Sequence, residues 1–175
     1  MVLGAARSIT DSEGLDGLSM RRLAQELDVW PMSIYTYFRD KDELLDALAE
    51  HRAADVRLPQ QHTSWRWEMR ALLHETRRVG AEALVASRLP GAMLSPGLLR
   101  ITGAGLAILE RAGFGREEAA SAWRSLLSYT FGFALTSLAA APALPPELER
   151  ALAADEEFDR GLARLLDGLR PATSR

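Results

Sequence analysis

Leucine and alanine together fill 57 of the 175 positions, whereas isoleucine and valine fill nine. β-branched side chains suit pleated, half-buried surfaces, and straight or small side chains lose little freedom in a helix. A chain of this composition is expected to be all-α. Its length allows one or two domains with a core large enough to need no covalent staple. Cysteine is absent, which excludes disulfides, thiolate metal sites and cysteine nucleophiles. The three histidines, His51, His62 and His74, form no metal-binding pair at helical spacing. No apolar run is long enough for a membrane span and no signal peptide is evident, so the expectation is a cytoplasmic protein with no membrane partner.

The periodicity predicts a first helix from Val2 to Glu13, closed by Gly14. Ser19 is placed to cap a second helix whose apolar positions are Met20, Leu23, Ala24 and Leu27. Pro31 opens a short third helix ending near Phe38. Asp40 and Glu43 form a capping-box pair for a fourth, running from Lys41 to about Val56. A polar connection from Leu58 to Ser64 leads to a long helix, Trp65 to Ser87, and then to a Pro- and Gly-rich loop. Helices follow at Leu98–Arg111, stopped by Gly113, at Arg116–Ala140, at Glu147–Ala153 and at Glu156–Leu169. No strand, repeat or low-complexity tract interrupts the series. The expected boundary lies between a compact N-terminal domain, 1–46, and a C-terminal helical bundle, 47–175.

Two short helices joined by a tight turn, Ser19–Leu27 and Pro31–Phe38, fit the helix-turn-helix pattern. Its DNA-binding use lays the second helix in the major groove while the first crosses the backbone. Met32, Ser33, Thr36 and Tyr37 fall on the outer side of the second helix. Val29, Ile34 and Phe38 are expected to close the small core. Ser33 and Thr36 can hydrogen-bond bases or phosphates, and Met32 or the Thr36 methyl can meet a thymine methyl. Arg21 and Lys41 flank the pair, and the helix starting at Lys41 offers backbone amides to a phosphate. Spacing alone also admits a helical hairpin with a polar outer face. Residues 1–52 hold six basic and ten acidic side chains, a balance of −4. DNA binding therefore requires the acids to lie away from the reading side.

The wording of the segment is more specific. Gly14-Leu15-Asp16-Gly17-Leu18-Ser19-Met20-Arg21-Arg22-Leu23-Ala24-Gln25-Glu26-Leu27, then Met32-Ser33-Ile34-Tyr35-Thr36-Tyr37-Phe38 and Lys41-Asp42-Glu43-Leu44-Leu45, closely resembles the tetracycline-repressor (TetR) family signature. The likeness is dense over residues 2–50 and looser over the helical remainder, where Phe158 to Leu169 looks like the family's closing helix. It implies a homodimeric, ligand-responsive transcriptional regulator, usually a repressor, on a palindromic double-stranded operator. It also implies that Arg21 reaches a base, that Met32, Ser33, Thr36 and Tyr37 lie on the reading helix, and that Tyr35 and Lys41 hold phosphates. Three departures stand out. Asp28 replaces the glycine usual in the turn, Trp30 stands where a small polar residue is usual, and the first helix begins without the basic arm many members carry. The last implies either weaker DNA affinity or a longer native N-terminus.

On the ligand side, Trp65, Met69, Trp123, Tyr129, Phe131 and Phe133 supply enough aromatic and soft surface to line a pocket, although plain core packing competes for each. The resemblance implies a small-molecule inducer pocket along the helix from Trp65, with Met93 and Arg100 as gate or anchor. His74 is expected to bridge or face solvent, and Arg77 to face solvent. Helices Arg116–Ala140 and Glu156–Leu169 carry more apolar surface than one core needs, which suits a homodimer interface. No phosphate loop, nucleophile elbow or Glu-x-x-His pattern is present, so neither an enzyme nor a cofactor is expected. The competing class is a helical protein–protein adaptor that has lost specific DNA binding.

Overall fold

The computed structural model describes residues 1–86, 95–138, 145 and 155–171, and among them contains eight helices and no strand. These are α1 (Val2–Gly17), α2 (Met20–Glu26), α3 (Pro31–Tyr35), α4 (Lys41–Ala54), α5 (Trp65–Ala86), α6 (Pro96–Arg111), α7 (Arg116–Leu138) and α8 (Asp155–Gly168). The helix expected at Glu147–Ala153 lies outside the described residues. The chain divides into two compact units, one built on Met1–Asp55 and the other on Val56–Glu82 with the chain from Leu99 onward.

Several helix ends fall where local chemistry puts them. Gly14 takes φ 74°, a left-handed value that costs glycine little, and kinks α1 there before one further turn to Gly17. The Ser19 hydroxyl accepts the Arg22 N–H at 3.0 Å and starts α2. Asp40 accepts the Glu43 N–H at 2.9 Å and starts α4. The reciprocal half of that capping box is displaced by one residue: Glu43 accepts the N–H of Arg39, at 2.6 Å, and also its guanidinium at 3.1 Å. The backbone hydrogen bond from Arg39, followed by its guanidinium, holds the Glu43 carboxyl below the usual range.

The first unit closes over Ala6, Ile9, Leu18, Met20, Leu23, Ala24, Ile34, Leu44, Leu45 and Leu48. Ion pairs tie α1 to α4 around this core. Arg52, 8% exposed, donates to Asp11 at 2.5 Å and to the Thr10 hydroxyl at 2.7 Å, and Arg7 pairs with Asp55.

In the second unit α5 buries Met69, Leu72, Leu73, Thr76 and Val79 at helical spacing. Thr76 satisfies its hydroxyl on the Leu72 carbonyl at 2.8 Å. Phe158 of α8 is fully buried, stacked on Tyr129 of α7 and edge-on to Phe133 and His74. Trp123 of α7 closes over Gly105 of α6, where a Cβ would stand 2.3 Å from the indole ring. Glu68, nearly buried in α5, accepts from Arg111 at 2.5 Å and from the His62 N–H at 3.0 Å.

Candidate nucleic-acid interface

The turn between α2 and α3 is built on Asp28, whose φ of 52° is the positive value of a non-glycine residue among those described. Asp28 and Val29 return their N–H groups to Gln25 and Ala24 carbonyls at 3.2 and 3.0 Å, which closes the turn. Trp30 then takes extended φ and ψ as the N-cap of α3, and Pro31 follows where a missing N–H is harmless.

Two local expectations need correction. Helix α3 ends at Tyr35, not Phe38, because Tyr37 and Phe38 both direct their N–H groups to the Ile34 carbonyl and wind the chain into a turn. Val29 is 40% exposed, carried to the outer corner by the left-handed residue before it; Ile34 and the partly buried Phe38 close the core without it.

What α3 and the residues at its two ends offer to solvent is mostly apolar. Trp30 is 83% exposed, Met32 73%, Tyr37 68% and Tyr35 46%. Ser33 is half-buried, and the exposed Thr36 donates its hydroxyl to the Ser33 carbonyl at 2.6 Å. Arg21 stands exposed in the first turn of α2, and Lys41 at the first position of α4.

The acidic balance of this unit acquires a geometry. Arg22 binds Glu13 at 2.7 Å and Glu26 at 2.9 Å, and the hydrogen bond to Glu13 is the main reason its pKa is raised. Arg39 binds Glu43, Arg52 binds Asp11, and Arg7 binds Asp55 and Asp11. Arg21 and Lys41 form no ion pair among the described residues. Of the six basic groups in residues 1–52, these two keep an uncommitted charge, one in α2 before α3 in the chain and one at the start of α4 after it.

The ligand-side candidates are spread over α5, α6 and α7. Met69 is buried, and Trp65 meets Phe114 edge-on with Arg66 over its ring. Trp123 donates its indole N–H to Thr102 at 3.3 Å. Arg100 donates to the Val56 carbonyl at 2.8 Å. Tyr129 donates to the Phe158 carbonyl at 3.1 Å, and burial pushes its phenol pKa up. Met93 lies outside the described residues.

A half-open cleft of about 490 Å³ is lined by a different set: Ala71, His74, Glu75, Arg77, Arg78, Ala134 and Asp155. His74 bridges as expected, its Nε2 2.7 Å from Asp159. Burial would raise the Asp159 carboxyl, but the hydrogen bond to His74, with that ring's charge and Arg70, holds it below the usual range. Arg78 likewise lowers Glu75. Arg77 does not simply face solvent: it lies over the Phe133 and Phe158 rings at 4.9 and 4.7 Å and pairs with Asp155 at 2.8 Å. All three partners come from α7 and α8, far along the chain, so no local pattern around Arg77 announces them.

The profile of bacterial regulatory proteins of the tetR family matches residues 2–48. The class A tetracycline repressor protein from transposon 1721 of Escherichia coli is 32% identical over 196 residues, spanning 96% of this chain and 88% of that protein. Among solved structures, BioQ with its double-stranded DNA operator superposes with a TM-score of 0.74 at 29% identity, covering 95% of this chain and 94% of that one. ActR of Streptomyces coelicolor in complex with actinorhodin superposes with a TM-score of 0.71 at 26% identity, covering 95% and 93%.

Proposed function

This chain belongs to the TetR family of bacterial regulatory proteins, and from that premise we infer a ligand-responsive transcriptional repressor that binds a palindromic operator as a homodimer. The observation that carries the reading is that Arg21 and Lys41, which precede and follow the solvent-facing α3 in the chain, are both exposed and in no ion pair among the described residues. In this reading α3 enters the major groove, Arg21 reaches a base edge, and Tyr35 and Lys41 hold phosphates. Met32, Ser33, Thr36 and Tyr37 supply the rest of the reading surface. Four of the ten acids in residues 1–52, Asp11, Glu13, Glu26 and Glu43, are drawn into ion pairs with Arg7, Arg22, Arg39 and Arg52, which lowers the repulsion of those four toward DNA.

We assign residues 1–46 to DNA reading and 47–175 to ligand binding and dimerisation. The exposed Leu135 of α7 and Leu165 of α8 belong to the surface proposed to pair with a second copy. The ligand is a small, mostly apolar molecule that meets Trp65, Met69, Arg100, Trp123 and Tyr129, together with Met93. It acts by favouring a dimer whose two reading helices are no longer about 34–36 Å apart. It can shift that equilibrium only by its difference in affinity for the two states.

Selection of bound sequences from a random duplex pool, followed by affinity against salt on the winner, tests this. A palindromic consensus with steeply salt-dependent binding is expected. A folded dimer that enriches no sequence at low salt would instead favour a protein–protein adaptor, with Trp30 and Tyr37 as its contact surface.

A further inference from the structure

Helix α3 has the position of a reading element but few groups with which to read by hydrogen bonds. Pro31 has no N–H, and the Ser33 N–H is taken by the Trp30 carbonyl at 2.8 Å. Ser33 is half-buried, and the Thr36 hydroxyl proton is directed at the Ser33 carbonyl. At the N-terminal end, which in this motif reaches deepest toward base edges, stand Trp30 and Met32, 83% and 73% exposed.

A large apolar side chain held in water on a well-formed turn marks a contact surface. Trp30 is firmly placed, its carbonyl fixed by Ser33 and its backbone followed by the Pro31 ring. In the major groove, the feature that an apolar side chain can distinguish is the thymine 5-methyl group, which only one of the four bases carries. Arg21 and Lys41, exposed and in no ion pair among the described residues, are cations through which this unit can meet DNA.

Building on the operator reading above, we propose that Trp30, assisted by Met32, reads thymine 5-methyl groups, so that the half-site is chosen by apolar contact more than by hydrogen bonds from α3. Trp30 is then a specificity-determining residue of the reading surface.

Replacing thymines of the selected operator one at a time by deoxyuracil tests this, because the change removes the methyl and keeps every hydrogen-bonding group. The full chain is expected to bind about fourfold more weakly at one or two positions per half-site, the effect of one lost buried methyl. Trp30→Ala is expected to bind the thymine and uracil duplexes alike at one of those positions. Its affinity for random duplex and its salt slope are expected to match the parent. Trp30→Phe should keep part of the methyl preference. Trp30 is exposed, so both variants should fold, with circular dichroism as the check.

Equal binding of thymine and all-uracil operators by the parent chain would overturn the proposal, as would full methyl preference in Trp30→Ala. So would an equal loss by Trp30→Ala on random duplex, which would make the indole a sugar–phosphate contact. In all three cases operator binding itself would still stand. Failure of the parent chain to enrich any sequence would remove the operator reading and this proposal with it.

Discussion

A Cβ built on Gly161 of α8 would stand 2.1 Å from the phenol oxygen of Tyr129 on α7 and 2.8 Å from the ring carbon that bears it. The ring cannot easily move aside, because Tyr129 donates to the Phe158 carbonyl and stacks on the Phe158 ring at 5.4 Å. Gly161→Ala gains about 0.5–1 kcal/mol of helix propensity and loses about 1–3 kcal/mol to overpacking. Its expected net effect is a lower thermal midpoint. Tyr129→Phe removes the nearest atom and should recover part of that loss in the double variant. A Gly161→Ala midpoint at or above the parent's would show that α7 and α8 are not held this closely.

Asp28 carries the left-handed turn with φ 52° where glycine would carry it freely. Aspartate tolerates this conformation better than most residues because its short side chain can bond locally. Asp28→Val is therefore expected to lose about 1–2 kcal/mol. Asp28→Gly should remain close to the parent, since relief of strain is offset by roughly 0.5–1 kcal/mol of chain entropy. Denaturant titration of the three proteins at one concentration decides it; a valine variant as stable as the parent would contradict the turn geometry.

Features set by a few neighbouring residues are legible in the sequence. Ser19 and Asp40 cap their helices, Gly14 adopts its left-handed value, and Pro31 opens α3, because each answers to chemistry within four positions. Features that depend on distant partners are not. Arg77 reads as a solvent-facing charge in its own helix, whereas the fold brings Phe133, Phe158 and Asp155 onto it from other helices. Nor does the acidic balance of residues 1–52 tell which acids are tied to arginines, as Glu13, Glu43 and Asp11 are. Even Glu43, read correctly as part of a cap, chose the N–H of Arg39, a choice that turns on how the chain enters the helix.

Asp159 joins α8 to His74 and Arg70 of α5 at 2.7 and 2.9 Å, and its carboxyl is held below the usual range. A carboxyl lowered in the folded state stabilises the fold above its ordinary titration range, and that contribution fades as pH falls through the lowered value. Asp159→Asn should thus be less stable than the parent at pH 7, by about 1 kcal/mol or less given its partial exposure. The gap should begin to close below about pH 4–5. Urea midpoints from pH 7 to 3, at fixed protein concentration, measure the gap. A gap that widens toward acid would reverse the assigned sign.

Arg21 and Lys41 are the two cations of residues 1–52 with no ion pair among the described residues, yet they should fail differently when removed. Lys41 is exposed at the first position of α4, where its ammonium can meet a phosphate. Lys41→Ala should weaken specific and random duplexes by the same factor and reduce the salt slope by about one. Arg21, in the first turn of α2, is assigned to a base edge, so Arg21→Ala should cost about 1–3 kcal/mol on the selected operator. On random duplex it should cost much less, and base preference should relax at one position of each half-site. Both side chains are exposed and make no ion pair among the described residues, so neither change should alter the melting temperature. Affinities of both variants on operator and random duplex, each at several salt concentrations, separate the roles; equal losses on both duplexes for Arg21→Ala would remove it from the base-reading set.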